Sequence, residues 1–168
     1  FAMATQNDVP MAAKAQIIGR AFLGLNMTCA RCHDAPFHDH KQQDLFALAA
    51  MLDRKPLRGP KTSSVPGDEE SLASMIVEVT LKPGSQVAPA WTFSELIDDA
   101  ALTGAAESQA DPREHVAALI TSPHNARFAE VIVNRMWKRY FGRGLVEPVD
   151  DWHSVEPSHP ELLQYLAR

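Results

Sequence analysis

Three residues in the first fifth of the chain have the types and the spacing to do chemistry: Cys29, Cys32 and His33. Their C-x-x-C-H pattern is typical of covalent haem attachment, in which both thiols add across haem vinyl groups and the histidine becomes an axial iron ligand. The chain has two cysteines in all, and the motif uses both. The spacing therefore predicts one covalently bound haem c with His33 as its proximal ligand.

The same residues allow three other uses. Cys29 and Cys32 could bind zinc with two of the three nearby histidines, which are His33, His38 and His40. Structural zinc sites, however, usually take their second ligand pair from a more distant stretch. A thioredoxin-like redox pair needs a strand before the motif, whereas residues 17–25 have helical apolar spacing. The fourth interpretation is a buried cysteine pair beside a surface histidine; haem attachment explains the most residues and is favoured.

Composition and charge restrict the class of protein. The 168 residues carry a formal net charge of −5 and are 45% hydrophobic and 22% charged, which is ordinary for a globular domain and argues against a nucleic-acid surface. No stretch approaches the roughly 18 apolar residues that span a bilayer. Because residue 1 is phenylalanine, we expect a processed or excised piece, so the missing signal peptide does not count against export. Haem attachment itself implies an extracytoplasmic location, periplasmic or secreted.

Helical signals dominate both ends of the chain. Apolar spacing and capping patterns predict helices over residues 10–27 and 41–53, a start at Asp111-Pro112, a helix over 125–141 and a last start at residues 158–161. Between them, residues 55–68 have loop composition, and residues 74–81 form the best strand candidate, with 86–91 as its expected partner. These signals predict a mainly α, cytochrome c-like helical haem domain with a small β-hairpin insertion and a C-terminal helical block packed onto it.

We expect one compact domain over residues 1–168, divided into haem-motif helices (1–55), a loop and hairpin insertion (56–110) and a C-terminal helical block (111–168). Two apolar stripes in the C-terminal block would have no partner if the block stood alone: Phe128/Ile132/Met136 and Leu162/Leu163/Leu166. Apolar side chains near the motif are expected to face the porphyrin or the core around it: Phe22, Leu25, Leu45, Leu48 and Leu52.

Two blocks of the sequence resemble the planctomycete-type cytochrome c proteins. The first is the run from Gly24 to Asp34, with Pro36-Phe37 and residues 43–50; the second comprises residues 125–128, 133–137, 141–151 and 157–163 and resembles the C-terminal domain of those proteins. The resemblance implies secretion and two domains of unknown function, and it names no substrate. Many members read C-x-x-C-H-[DN]-H, whereas this chain has Ala35 at the second histidine, with His38 and His40 nearby.

The sixth ligand of the iron is open between two distal candidates. His159 lies in the C-terminal block that resembles the family, between a serine and a proline at a helix start. Met136 lies on an apolar stripe and would give thioether ligation, which raises the reduction potential relative to bis-histidine ligation. Surface exposure of His159 and core packing of Met136 are the alternatives.

Two neighbouring acids have two possible roles. Asp150 and Asp151 could pair with Arg135, because an arginine on an apolar helix face needs an acid, or could bind Ca²⁺.

The favoured function is electron transfer by an extracytoplasmic c-type cytochrome, with a redox partner protein or a larger parent assembly as its partner and no nucleic acid. The alternatives are a haem enzyme acting on peroxide or another small oxidant, and a haem-bearing subunit or fragment of a larger secreted assembly. The sequence does not decide whether the chain is an enzyme.

Overall fold

The structure, a computed structural model, describes residues 11–59, 78–97 and 111–168. These residues are mainly helical, with five α-helices and one two-stranded antiparallel sheet, as the sequence predicts. The elements are α1 (Met11–Ile18), α2 (Gln42–Asp53), β1 (Leu57–Arg58), β2 (Gln86–Val87), α3 (Pro112–Thr121), α4 (Ala126–Phe141) and α5 (Pro160–Leu166). None of the described helices is long and apolar enough to cross a bilayer.

The first helix ends earlier than its apolar spacing predicts. α1 continues into a π-helical turn, Gly19–Leu23, and the helical stretch stops at Gly24, whose φ of 64° is left-handed. A side chain at Gly24 would be strained by that φ, and its Cβ would lie 2.6 Å from Cδ1 of Trp152. The close approach of Trp152 therefore needs a glycine here, and residues 25–28 lead on to the motif without helix.

The second helix ends at the predicted residue and begins one residue after the predicted start. Oδ2 of Asp44 accepts a hydrogen bond from the backbone N–H of Lys41 at 2.8 Å, so the acid of the first turn caps the helix. Asp39 and Gln42 also have the spacing of a capping pair in the sequence, but they do not cap this helix. α2 ends at Arg54, which has a φ of 63°. One side of this helix faces the core, since Leu45 and Leu48 are fully buried.

The small sheet pairs differently from the prediction. β2 pairs with β1, with Leu57 opposite Val87 and Arg58 opposite Gln86. Of the predicted strand over residues 74–81, residues 74–77 lie outside the described residues, and residues 78–81 form no strand. Residues 86–87, part of the expected partner of residues 74–81, therefore pair with the segment that follows α2.

The C-terminal helices begin and end at the predicted signals. Oδ1 of Asp111 accepts from the backbone N–H of Arg113 at 2.9 Å at the start of α3. α4 ends at Gly142, which has a φ of 80°, and α5 starts at Pro160. The caps could be read from the sequence because each depends on its immediate neighbours.

The buried apolar residues form two clusters. The first cluster joins α1, α2 and α3 with residues of the middle segment, among them Leu81, Val87, Phe93 and Ile97. The second cluster lies within the C-terminal block and consists of Val131, Leu145, Val146, Trp152 and Leu163. Each cluster is completed by partly buried side chains at its edge.

The predicted stripes are only partly buried. Phe128 packs on the first cluster, but Ile132 and Met136 are 40% and 46% exposed, because α4 turns Val131 and Asn134 inward instead. On α5, Leu163 is buried and Leu166 is exposed. The leucines near the motif face protein: Leu25, Leu45 and Leu48 are buried in the first cluster, and Phe22 and Leu52 pack at its edge.

Candidate functional site

The C-x-x-C-H motif forms a tight turn. Cys29–Arg31 is one turn of 3-10 helix, and the backbone N–H groups of Cys32 and His33 both donate to the carbonyl oxygen of Cys29, at 3.1 and 3.2 Å. Ala30 is fully buried and anchors the turn in the first cluster. Both thiols are free; Cys29 is exposed and Cys32 partly buried. The turn therefore leaves Cys29 accessible to a reaction partner and Cys32 partly so.

The ring of His33 is held by a single hydrogen bond. Nδ1 lies 2.8 Å from the backbone carbonyl oxygen of Asp34, and because a carbonyl can only accept, Nδ1 carries the proton when the ring is neutral. The lone pair is then on Nε2, which makes no hydrogen bond among the described residues. A backbone carbonyl on one ring nitrogen is the usual way in which a protein fixes the other nitrogen for a metal.

Asp34 ties the motif to the rest of the fold. Its Oδ1 accepts from the backbone N–H of Gln42 at 2.7 Å, its Oδ2 accepts from that of Thr80 at 3.2 Å, and its own N–H donates to the carbonyl of Glu78 at 2.9 Å. The side chain of Gln42 donates in turn to the carbonyl of Arg31 at 3.2 Å. Neither residue is predicted as functional from the sequence; an acid directly after the motif and a polar residue at the start of α2 were the available signals.

The two distal candidates lie on the surface. His159 is exposed, and its Nδ1 lies 3.2 Å from Oγ of Ser158. Met136 is 46% exposed on α4. No hydrogen bond, ion pair or ring contact in the described part of the chain joins either side chain to the motif. Their role as sixth ligand stays a prediction.

A second polar cluster lies where residues 38–40 meet residues 151–153. Nε2 of His38 lies 3.0 and 3.1 Å from the two carboxylate oxygens of Asp151, and Asn26 also donates to Asp151 at 3.0 Å. The ring centroid of His153 is 4.9 Å from that of His38, and the ring of His40 is 6.1 Å from it. We call these five residues the histidine cluster.

The environment of the histidine cluster lowers the pKa values of two of its residues, His40 and Asp151. Burial lowers the pKa of His40, and the neighbouring imidazole of His38 lowers it further. Burial alone would raise the pKa of Asp151, but the hydrogen bonds from His38 and Asn26 outweigh it and hold that pKa below its usual value. His40 therefore favours its neutral form, and Asp151 its charged form.

The histidine cluster borders a cavity of about 210 Å³ lined by residues of both ends of the chain, including His40, Phe93, Arg127 and Trp152. Within residues 11–59, 78–97 and 111–168, no three histidine, cysteine, aspartate or glutamate side chains are arranged to hold a metal ion. The compact zinc set around Cys29 and Cys32 is thus not assembled among these residues.

The predicted partner of Arg135 was wrong. Asp151 binds His38 and Asn26, and Asp150 lies 3.8 Å from Nε of Arg20. Arg135 instead donates from Nη2 to the backbone carbonyl of Arg20 at 2.7 Å. The loop at residues 150–151 turns its two acids toward the residues that flank the motif, a tertiary arrangement that sequence spacing does not reveal.

Comparison with known families adds to this geometry. Residues 3–56 match the PSCyt2 family model, a protein of unknown function (DUF1549), and residues 112–168 match the PSD1 family model, a protein of unknown function (DUF1553). Both domains are found in planctomycete-type cytochrome c proteins. No match is found among the curated proteins or among the solved structures. The motif lies in the PSCyt2-matched region, and the histidine cluster joins that region to the PSD1-matched region.

Proposed function

We propose that this chain is an extracytoplasmic c-type cytochrome that carries one covalent haem and transfers electrons. The observation that carries the proposal is the geometry at His33. Its Nδ1 is bound to a backbone carbonyl and its Nε2 is free, while the accessible thiols of Cys29 and Cys32 lie in the same turn. An imidazole fixed in this tautomer beside two free thiols fits the donor set that a c-type haem requires.

The chain's residues have separate tasks in this proposal. The thiols of Cys29 and Cys32 would each add across a vinyl group: sulfur bonds to one vinyl carbon, and the thiol hydrogen goes to the other, so no oxidant is needed. His33 would bind iron through Nε2, and the carbonyl of Asp34 would orient the ring and raise its basicity. Once bound, the haem supplies reversible one-electron chemistry.

The burial pattern supports a cofactor position at the edge of the core. Leu45 and Leu48, which were candidates to face the porphyrin, are fully buried against other protein side chains. Cys29 is exposed, so a porphyrin attached there would keep part of its edge near solvent. An accessible edge suits exchange of electrons with a redox partner protein.

The cytochrome c-like domain of residues 1–168 is part of the same proposal. Its support is the set of bonds between the two ends: the backbone N–H of Trp152 donates to the carbonyl of Gly24 at 2.9 Å, and Asp151 accepts from Asn26 and His38. These bonds lie within a few residues of the motif. Residues 111–168 would then brace the haem-bearing turn.

The test is production of the chain with a c-type maturation system, followed by mass measurement and a pyridine haemochrome spectrum. We expect one added haem mass and the spectrum of two thioether links. Cys29→Ala should give a single-link spectrum, and Cys29→Ala with Cys32→Ala should abolish attachment, whereas His124→Ala, at an exposed position, should match the parent. An unmodified mass and no haemochrome in the parent chain would reject the proposal.

A haem enzyme acting on peroxide or another small oxidant is the second candidate. The observation that favours it is the exposure of both distal candidates, His159 and Met136, because an iron without a sixth protein ligand is open to small molecules. A low-spin ferric spectrum that becomes high-spin in His159→Ala or Met136→Leu would identify the ligand and support electron transfer. A high-spin spectrum in the parent would support the enzyme.

The third candidate, a haem-bearing subunit of a larger secreted assembly, agrees with two family models that each match about a third of the chain. Its partner would be the parent assembly rather than a diffusing redox protein. Size-exclusion chromatography of the haem-loaded chain, alone and with its native extracytoplasmic extract, separates the two: a persistent larger complex supports the subunit, and a monomer with reversible reduction supports the free cytochrome.

A further inference from the structure

A groove of about 430 Å³ runs along α1 and reaches the residue that precedes the motif. Its apolar lining comes from Ala13, Ile17 and Ala21, and its polar lining includes Arg20, Thr28 and Arg135. Thr28 is bonded directly to Cys29, so the groove begins one residue from the first thiol. An amphipathic groove in this place suits a ligand with an apolar body and charged ends.

The two guanidinium groups of the groove carry more positive charge than their neighbours balance. Arg20 donates to Thr28 at 2.7 Å and to Asn26 at 3.0 Å, both uncharged, and its Nε lies 3.8 Å from Asp150. Among the described ion pairs, Asp150 is the one acid within 4.0 Å of either Arg20 or Arg135. One exposed carboxylate at that distance does not neutralise two arginines.

Arg135 also has an unused donor. Its Nη2 donates to the carbonyl of Arg20 at 2.7 Å, but its Nε is buried and has no hydrogen-bond partner among the described residues. A buried guanidinium N–H without an acceptor is costly, so the protein alone does not satisfy this side chain fully, and its remaining N–H groups are the ones that can meet an anion. Carboxylates fit this fork geometry particularly well.

We propose that this groove receives the propionate edge of the porphyrin and that Arg20 and Arg135 bind its carboxylates. This inference rests on the proposed haem. A porphyrin combines a flat apolar body with two carboxylates, which matches the lining of the groove. The segment after the motif carries three acids, Asp34, Asp39 and Asp44, against one lysine, Lys41, so its net charge is negative and would repel propionates. Charge therefore favours the side of the motif on which α1 lies.

The test compares midpoint potentials of the haem-loaded chain and its variants. A cation beside the haem favours the reduced state and the ionised propionate, so Arg135→Gln should lower the midpoint potential and move its propionate-linked pH dependence to higher pH. Arg20→Gln should shift both quantities in the same directions, and Arg135→Lys should restore part of the potential, because it keeps the charge without the fork. Arg143→Gln, an equal charge change at an exposed position, is the matched control.

The outcomes separate this inference from the function on which it rests. Haem bound normally, with both variants matching Arg143→Gln in potential and pH dependence, would overturn the propionate assignment alone. A parent chain without covalent haem would overturn the assignment together with the proposed function. Circular dichroism of each variant checks that it is folded, and a purely structural role for either arginine would not move the pH dependence of the potential.

Discussion

The two apolar clusters of this protein are stabilised in different ways. Among the described residues, the first cluster contains nineteen buried apolar side chains, drawn from α1, α2, α3 and residues 78–97, so its stability comes mainly from burial of apolar area. The second contains five and encloses a polar residue, Asn134, which is fully buried. The larger core can tolerate loosely specified packing, whereas the smaller one depends on individual hydrogen bonds.

The candidate site lies close to the place where these two regions meet. The motif turn is anchored in the first cluster by Ala30. Trp152 of the second cluster packs on Gly24, which lies a few residues before Cys29 in the chain. A weakened second cluster would therefore release bonds that brace the segment before Cys29. Substitutions in each region, and at the joint between them, test this division.

Asn134→Leu should have the largest effect. The Asn134 amide donates to the carbonyl of Val146 at 2.8 Å and accepts from its N–H at 3.0 Å, so the leucine would leave two buried backbone groups unpaired. At about 1–3 kcal/mol for each group, we expect a loss of about 2–6 kcal/mol in the free energy of unfolding, measured with urea.

Asn125→Ala is the comparison for that variant, because the buried amide of Asn125 donates to one carbonyl, that of Leu119 at 3.1 Å, and it should cost less. If Asn134→Leu is no more destabilising than Asn125→Ala, the second cluster is apolar in its energetics like the first, and the contrast between the clusters is wrong.

Gly24→Ala should have the next largest effect on stability, because it alters the contact between the two regions. Alanine at a φ of 64° is strained, and its Cβ would lie 2.6 Å from the Trp152 indole. About 1–2 kcal/mol for the left-handed backbone and about 1–3 kcal/mol for overpacking predict a loss of about 2–5 kcal/mol. Thermal unfolding followed by Trp fluorescence measures it.

Gly142→Ala isolates the conformational part of that loss. Gly142 has a φ of 80°, and a Cβ there would meet nothing within 4 Å. It should cost only the backbone term. Equal losses in the two alanine variants would show that the contact between Gly24 and Trp152 adds nothing, and that the two regions are less tightly joined than their geometry indicates.

The sequence predicted what depends on neighbours in the chain. The start of α3 at Asp111-Pro112, the end of α4 at residue 141 and, within one residue, the bounds of α2 are local, and they were predicted correctly. The partner of residues 86–87, the exposure of Ile132 and Met136 and the pairing of Asp151 with His38 depend on how distant segments dock, which apolar spacing alone does not specify. Cys29, Cys32 and His33 could be proposed as a site from their spacing, but the contacts by which Asp34 anchors the motif depend on tertiary structure.

Asp151→Asn tests the charged part of the joint, with a smaller expected effect of about 1 kcal/mol at neutral pH, since the bonds to His38 and Asn26 weaken but persist in part. The pKa of Asp151 is lowered in the folded state. Its contribution is therefore present above the ordinary carboxyl pKa of about 3.9 and is lost as the pH falls through the folded-state pKa.

The difference in free energy of unfolding between the parent and Asp151→Asn should therefore become smaller at acidic pH. Urea titrations at neutral and acidic pH can measure this change. Asp150→Asn removes the same charge from a more exposed pair and should cost less at neutral pH. A gap that persists unchanged in acid would mean that the variant acts through packing rather than through the carboxylate.

His40→Gln should give the smallest effect, visible only as a difference in pH dependence. Burial and the imidazole of His38 lower the pKa of His40, His153 lowers it as well, and Asp44 and Asp39 oppose them. The unfolded chain, with an imidazole pKa of about 6.5, then binds a proton more readily than the folded chain, so stability is lost as the pH falls below about 6.5. Between about pH 7.5 and pH 5, the melting temperature of the parent should fall more than that of His40→Gln, while His124→Gln, at an exposed position, should follow the parent. If His40→Gln loses as much stability as the parent, the acid sensitivity does not come from His40, and the buried imidazole does not contribute to the contact between the two regions.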